Sequence, residues 1–211
     1  MSYYPVFLDL RGKRCVVIGG GTLAAQKAVG LAQAGASVEV YAAEAVPELL
    51  DQPVALFRRP YRKGDLAGAR LAIDAGGDPA VTAIVRLEAD EQGVLLNVMD
   101  VPAACDFIAP AVVKRGPLQV AISTSGESPF LASALRRRLE AELGEEWREF
   151  VKLVGEVRRD LRCRGVPLAD QTRIYSRLLD SSVLELLRQG AVAAARREIA
   201  RFIQEDELVN R

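Results

Sequence analysis

Short runs of β-branched and other apolar residues alternate with longer stretches whose apolar positions recur every three to four residues, a pattern that predicts strands separated by helices. Arg14 to Gly19 (RCVVIG) reads as a buried strand, Thr22 to Gly35 (TLAAQKAVGLAQAG) as a helix closed by glycine, and Ser37 to Ala42 (SVEVYA) as the next strand. This is a βαβ unit. Further strands are expected at Pro53 to Arg59, Arg70 to Ala75 and Val94 to Val98, with a helix from Asp78 to Gly93. Strands alternating with helices imply an α/β fold, a parallel sheet covered on both faces.

The pattern changes after Asp106. Two apolar runs in DFIAPAVVKRGPLQVAIST are separated only by KRGP, a turn signal, so an antiparallel hairpin is expected. Ser128 as N-cap and Pro129 at the first helical position then open a helix with Leu131, Leu135, Leu139 and Leu143 on one face. From Glu145 onward the pattern is helical, broken near Arg164 to Pro167, at Ser181 and Ser182, and at Gly190. Leu184, Leu187, Ala191 and Ala194 read as a packing seam. The chain is thus divided into an α/β domain over 1–112, a hairpin and helix over 113–144, and a small helical domain over 145–211.

Composition narrows the chemistry. The 211 residues carry 28 basic and 28 acidic side chains, so no overall field recommends nucleic acid or an anionic membrane as partner. No run of about eighteen apolar residues offers a membrane span, and the start lacks the core of a signal peptide. Cys15, Cys105 and Cys163 have no CxxC spacing, which suits free thiols in the cytoplasm. Histidine is absent, so acid and base work falls to carboxylates, lysine, tyrosine or thiol.

Between the first strand and first helix stands GGGTLA, Gly19, Gly20, Gly21, Thr22, Leu23 and Ala24, which fits GxGxxA in a strand-turn-helix context. Gly19 suits the tight turn, Gly21 lets the backbone approach a pyrophosphate, and Ala24 lets helix and sheet pack closely. The amides of Thr22 and Leu23 are expected to face the phosphates. A Rossmann-type nucleotide site follows. For the ribose hydroxyls the second strand offers Glu39 within it and Glu44 just past it, and Glu44 is the candidate. No arginine or lysine lies between Val38 and Leu50, which favours NAD over NADP.

Three segments, YYPVFLDLRGKRCVVIGGGTLAAQKA, NVMDVPAACDFIAPA and RGPLQVAISTSGESPFLASALRRRLE, together resemble the precorrin-2 dehydrogenase family, which includes the N-terminal half of siroheme synthases and bifunctional dehydrogenase-ferrochelatases. The resemblance covers about residues 3 to 143. It implies NAD-dependent oxidation of precorrin-2 to sirohydrochlorin, in some members followed by insertion of ferrous iron. It places the catalytic aspartate at Asp100, the nucleotide contacts at Thr22, Leu23, Ala43 and Glu44, and the hairpin and tail in a homodimer. Asp100 also follows the fifth expected strand, where ligands of open α/β sheets bind, and a carboxylate can accept a proton in a chain without histidine.

In STSGESP, Ser123, Thr124, Ser125 and Gly126 precede Ser128, so hydroxyls and free amides converge where an anion can dock, and the resemblance implies that the anion is a carboxylate of the substrate. Lys114, Arg115 and the Arg136 to Arg138 cluster are candidate partners of the same carboxylates. One departure stands out: family members carry an AATDD-like segment after the fourth strand, where this chain has IDAGGDP, Asp74 with Gly76 and Gly77. A competing reading is a non-catalytic module that senses NAD or carries a tetrapyrrole.

Overall fold

The computed structural model describes residues 3–209, with side chains through Glu205. The chain divides into two compact units, Met1–Ala109 and Pro110–Arg211, so the hairpin and its helix belong with the helical tail.

The first unit is a five-stranded parallel sheet, Rossmann-like in topology. Its elements run β1 (Arg14–Ile18), α1 (Thr22–Gln33), β2 (Ser37–Tyr41), α2 (Pro47–Leu50), β3 (Ala55–Phe57), β4 (Leu71–Asp74), α3 (Pro79–Gln92) and β5 (Leu95–Val98). The strand order is β3-β2-β1-β4-β5. The expected strands are therefore present, trimmed by one to four residues, and α2 is a single turn that the apolar pattern was too short to reveal. Side-chain alternation along the strands divides the core. Cys15, Val17, Val40 and Ile73 pack with Ala24, Ala25, Ala28 and Leu31 of α1 on one face. Val16, Ile18, Ala72, Leu96 and Val98 pack with Val85 and Ala89 of α3 on the other. Both faces are covered, which is why these strands read as continuous apolar runs. Helix α3 begins where Asp78 accepts hydrogen bonds from Ala80 and Val81 and ends at Gly93, whose φ of +65° is the left-handed stop.

A buried carboxylate fastens the long connection between β3 and β4. Glu88 of α3, fully buried, accepts from the Leu66 amide at 3.0 Å and the Gly64 amide at 2.9 Å, and from the Tyr61 hydroxyl. From the opposite side Arg14 donates to the carbonyls of Asp65 and Ala67, each at 2.8 Å. Both anchors satisfy backbone groups that a connection without regular structure would otherwise leave unpaired.

The second unit begins with an antiparallel hairpin, β6 (Ala111–Arg115) and β7 (Leu118–Ile122), turned at Gly116 and Pro117. Helix α4 (Pro129–Glu142) follows, its first turn capped by Ser128, whose hydroxyl accepts from the Leu131 amide at 3.2 Å. Helices α5 (Glu146–Cys163), α6 (Leu168–Leu179), α7 (Val183–Arg188) and α8 (Val192–Val209) form a separate core of Phe150, Leu153, Val157, Leu161, Ile174 and Leu178, closed by α7 and α8. Of the expected seam, Leu187 is buried and Leu184 half-buried in that core, but Ala195 and Ile199 rather than Ala191 and Ala194 continue it, because α8 turns a different face to the core. Gly165 and Gly190 stop α5 and α7 in left-handed conformations. The leucine face of α4 is different: Leu131 and Leu135 are 48% and 39% exposed, and Phe130 is 78% exposed. Among the described residues no helix is long and apolar enough to cross a membrane.

Candidate functional site

The order of the sheet reverses between β1 and β4, so the loops leaving their carboxyl ends diverge to opposite faces and leave a crevice between them. A groove of about 170 Å³ lies there, bounded by Gly19 and Gly20, by Tyr41 to Glu44, by Pro60 and Tyr61, and by Gly76, Asp78 and Val81.

The three glycines of the first turn differ in what they permit. Gly19 has φ +111°, and a Cβ there would stand 2.9 Å from the Ala75 carbonyl group. Gly20 is tighter still: a Cβ would overlap the Glu44 carbonyl oxygen at 1.8 Å, and the Gly20 carbonyl accepts the Val46 amide at 2.9 Å. The middle glycine therefore lets the β1 and β2 loops touch, a role the fingerprint spacing did not assign. Gly21 is the N-cap of α1 and makes no side-chain cap bond. A Cβ on Gly21 would meet nothing within 4 Å, so the backbone here faces open space. The first-turn amides of Thr22, Leu23 and Ala24 have no acceptor within the helix. Ala24 itself is fully buried under α1, as close packing of helix on sheet demands. An anion at this helix start would meet free N–H groups and the positive end of the helix dipole; the residues present fit a dinucleotide's pyrophosphate.

Past β2, Ala43 and Glu44 are exposed on the groove wall. Glu39, the alternative acid, is already engaged: Arg14 donates to it at 2.6 and 2.9 Å and the Tyr41 hydroxyl at 2.8 Å. The Arg14 hydrogen bond holds the Glu39 carboxyl below its ordinary value, against an opposing effect of burial. Burial and that same carboxylate push the Tyr41 hydroxyl up to about 12. Glu39 is thus a structural acid, and Glu44 is left as the one facing the groove. The stretch from Val38 to Leu50 holds no cation, but Arg59 arrives beside it from β3. Its guanidinium carbon lies 4.8 Å from the centroid of the Tyr41 ring, and Asp65 binds it through two bonds of 2.7 Å.

Asp100 sits in the turn after β5, exposed, with φ +61°. A left-handed backbone costs a non-glycine residue about 1 kcal/mol, so the turn must be held from outside. Met99 donates its amide to the Asp74 carbonyl at 2.9 Å, and the Cys105 thiol accepts the Val98 amide at 3.1 Å. Asp106 completes the base, accepting the Leu96 amide at 2.8 Å. The departure IDAGGDP belongs to this support. Asp74 is 2% exposed and accepts from the Gly76 amide at 3.0 Å and the Thr82 hydroxyl at 2.6 Å. The buried carboxylate therefore ties the groove wall to α3, the main-chain carbonyl of the same residue holds the Asp100 turn through Met99, and Gly76 and Gly77 (φ +72°) let the chain bend here. Cys15 lies in the core, and burial raises its thiol to about 11, which makes it inert.

In the second unit the STSGESP residues form a local network. Ser123 accepts the Ser125 amide at 3.0 Å and Thr124 accepts the Ser128 amide at 3.1 Å. Each hydroxyl thereby keeps its own proton to donate. Ser125 has φ +53° and Gly126 φ +89°. Lys114 is exposed on β6. Arg115 is committed elsewhere, because it donates to the carbonyls of Leu143 at 2.7 Å and Glu140 at 2.8 Å, capping the C-terminus of α4 at the end remote from Ser128. Arg136 and Arg138 pair with Glu140 and Glu142 along the helix.

Comparison with known proteins agrees with this geometry. A family described as putative NAD(P)-binding matches residues 6–111, half of the chain, and the sirohaem biosynthesis protein central family matches residues 115–142. The siroheme synthase of Methylococcus capsulatus is 38% identical over 202 residues, and that of Chromobacterium violaceum 35% over 207 residues. These alignments take in 93% and 96% of this chain but only 42% and 44% of the relatives, so the chain spans less than half their length. Among solved structures, SirC, a precorrin-2 dehydrogenase, superposes with a TM-score of 0.75 at 25% identity, over 97% of this chain and 99% of that one. With that family's model matching half of its residues, the chain belongs to the putative NAD(P)-binding family, and it is similar beyond that half to the siroheme synthases and to the precorrin-2 dehydrogenase SirC.

Proposed function

We propose that the chain is an NAD-dependent dehydrogenase that oxidises precorrin-2 to sirohydrochlorin. The observation that carries this reading is the placing of Asp100. It occupies a strained, externally braced turn at the same carboxyl edge of the sheet as the open glycine turn, and its carboxylate makes no hydrogen bond among the described residues. The end-to-end likeness to SirC supports the substrate.

The amides at the start of α1 would hold the pyrophosphate, and Ala43 and Glu44 the ribose. NAD supplies a hydride acceptor when bound. Asp100 accepts the substrate proton on a carboxylate oxygen, and the braced turn keeps that oxygen from collapsing onto the protein. The free hydroxyl protons of Ser123, Thr124 and Ser128 and the amides around Gly126, with Lys114, bind substrate carboxylates. Arg115 acts through α4 instead. The exposed face of Phe130, Leu131 and Leu135 suits a second copy of the chain, because apolar side chains grouped on one helix face mark association surfaces. A homodimer that dissociates on Phe130→Ser, read by sedimentation, is the expected outcome. Free thiols at Cys15, Cys105 and Cys163 suit a reducing cytoplasm.

The test mixes purified protein with precorrin-2 and NAD and follows NADH. Asp100→Asn should lower turnover about 10²- to 10⁴-fold, as loss of a general base does, with NAD binding retained. NADH no faster than the uncatalysed background would leave a binding or sensing module. Full turnover in Asp100→Ala would remove Asp100 from the reaction. Ferrous iron added to the sirohydrochlorin formed then separates a dehydrogenase from one that also inserts metal.

A further inference from the structure

Arg59 and Asp65 do not enter the reaction just described, yet they stand behind the groove wall that Tyr41 and Pro60 form. Tyr41 pairs with Phe57 in register, and the Ala42 amide donates to the Phe57 carbonyl at 3.1 Å. Two residues beyond Phe57, Arg59 therefore leaves β3 beside the stretch of chain that carries Ala43 and Glu44. Its guanidinium carbon lies over the ring of Tyr41, 4.8 Å from the centroid, and Tyr41 and the next residue, Pro60, both line the groove. A planar cation on an aromatic face at this position is the usual means of reading a 2′-phosphate. Here the end of its fork is already engaged and its charge paired. Both terminal nitrogens bind Asp65 at 2.7 Å, and one also donates to the Pro60 carbonyl.

Asp65 is unusually well placed to keep that hold. Its carbonyl is fixed by Arg14, and its neighbours Gly64 and Leu66 are fixed by Glu88. The side chain also accepts the Arg62 amide at 2.8 Å. The Arg14 and Glu88 anchors do not involve the Asp65 carboxylate, so its removal gives up the Arg62 bond but leaves the loop fastened on both sides.

We propose that Asp65 is a specificity residue: by occupying Arg59 it denies a 2′-phosphate its countercharge and commits the groove to NAD. The proposal rests on the dinucleotide reading above and deepens it. In the same place Glu44 adds a repulsive carboxylate against a phosphate and an acceptor for ribose hydroxyls, so attraction to NAD and rejection of NADP come from neighbouring groups.

The experiment is direct binding of NAD and of NADP to the full chain by calorimetry, for wild type, Asp65→Ala, Asp65→Asn, Arg59→Met and the double variant Asp65→Ala/Arg59→Met. Wild type should bind NAD tighter than NADP by about tenfold or more. Asp65→Ala should tighten NADP about tenfold, the scale of one charge-assisted phosphate contact, while NAD moves less than about threefold. The double variant should lose the gain, and Arg59→Met alone should show none. Unchanged NADP affinity in a folded Asp65→Ala that still binds NAD overturns the proposal, as does a gain that persists without Arg59. Wild-type protein that already prefers NADP overturns it too. If Asp65→Ala fails to fold, Asp65→Asn decides, because its amide oxygen still receives the Arg62 N–H while the charge on the hold is gone. Wild type that binds neither dinucleotide is a different result: it defeats the nucleotide reading itself, and this proposal falls with it.

Discussion

In the α/β unit β1 is buried at four of five positions and β4 at all four, whereas the hairpin buries Val113 in β6 and no residue of β7. The first sheet has helices on both faces and the second does not, so the same β-propensity yields an interior in one case and a surface in the other. The consequence for function is a division of labour. A sheet covered on both faces has only its strand ends to offer, and its site is made of backbone, glycines and the side chains that reach the carboxyl edge. The second unit keeps side-chain surface open: the hydroxyls of STSGESP, and the apolar face of α4.

The separateness of the two cores can be tested first, because the effects are largest. Glu88→Ala leaves the Tyr61 hydroxyl and two amides without their buried acceptor and should cost about 3–5 kcal/mol, melting the α/β unit. Leu178→Ala, at a fully buried position in the other core, should cost about 2–5 kcal/mol and loosen the helices while leaving NAD binding intact. Hydrogen exchange resolved by segment checks both; a single shared transition would show that the cores are not independent.

The neighbouring glycines sharpen the site. Gly20→Ala should cost about 2–4 kcal/mol and abolish NAD binding, since its methyl would displace the Glu44 carbonyl. Gly21→Ala should leave stability within about 0.5 kcal/mol but weaken NAD about tenfold, because the methyl enters the space a phosphate needs. Denaturant melts and calorimetry on the pair distinguish packing from binding, and equal losses of stability would refute the division of roles.

Acid titration compares a half-buried ion pair with an exposed one. Glu39 is held below its ordinary value of 4.5 by the Arg14 hydrogen bond. Its contribution is therefore complete above pH 4.5 and is lost as the pH falls through the depressed value in the folded state. Glu39→Gln should flatten the acid limb of the stability curve. Glu156, lowered chiefly by its hydrogen bond to Arg196, has the same sign, but both partners are about half exposed, so Glu156→Gln should flatten it less.

The smallest effect concerns backbone strain. Asp100 and Ser125 are the only non-glycine residues with left-handed φ among those described, one in each unit. Glycine at either position should stabilise by about 0.5–1 kcal/mol by removing the Cβ clash. Asp100→Gly should do so at the expense of turnover, and Ser125→Gly with turnover reduced far less. Thermal melts beside NADH assays check the pair.

Much of this molecule is written locally. The βαβ start, Ser128 as cap, the glycine stops at Gly93, Gly165 and Gly190, and the strand-turn-helix around GGGTLA follow from period and turn chemistry, which act over a few residues. Asp100 became legible only through the motif around it, since a lone aspartate before Val101 and Pro102 reads equally as a turn. What the linear order concealed are the pairings that cross the sheet. Glu39 is a plausible ribose acid until Arg14 is seen beside it, and Arg115 a plausible anion binder until its fork closes on α4. IDAGGDP reads only as a departure from the family, and its buried Asp74 carboxylate proves to tie Gly76 to Thr82 of α3. Arg59 and Asp65 lie outside the stretch that follows β2, because α2 and its loops separate β3 from β2 along the chain while parallel pairing sets the two strands side by side. Propensity and periodicity are properties of neighbours along the chain, so the sequence determined most of the elements, the glycine stops and the glycine turn, but not the short α2 or the trimmed strand ends. Which charge meets which depends on strand order and on the anchoring of long connections, and these the tertiary structure alone decided.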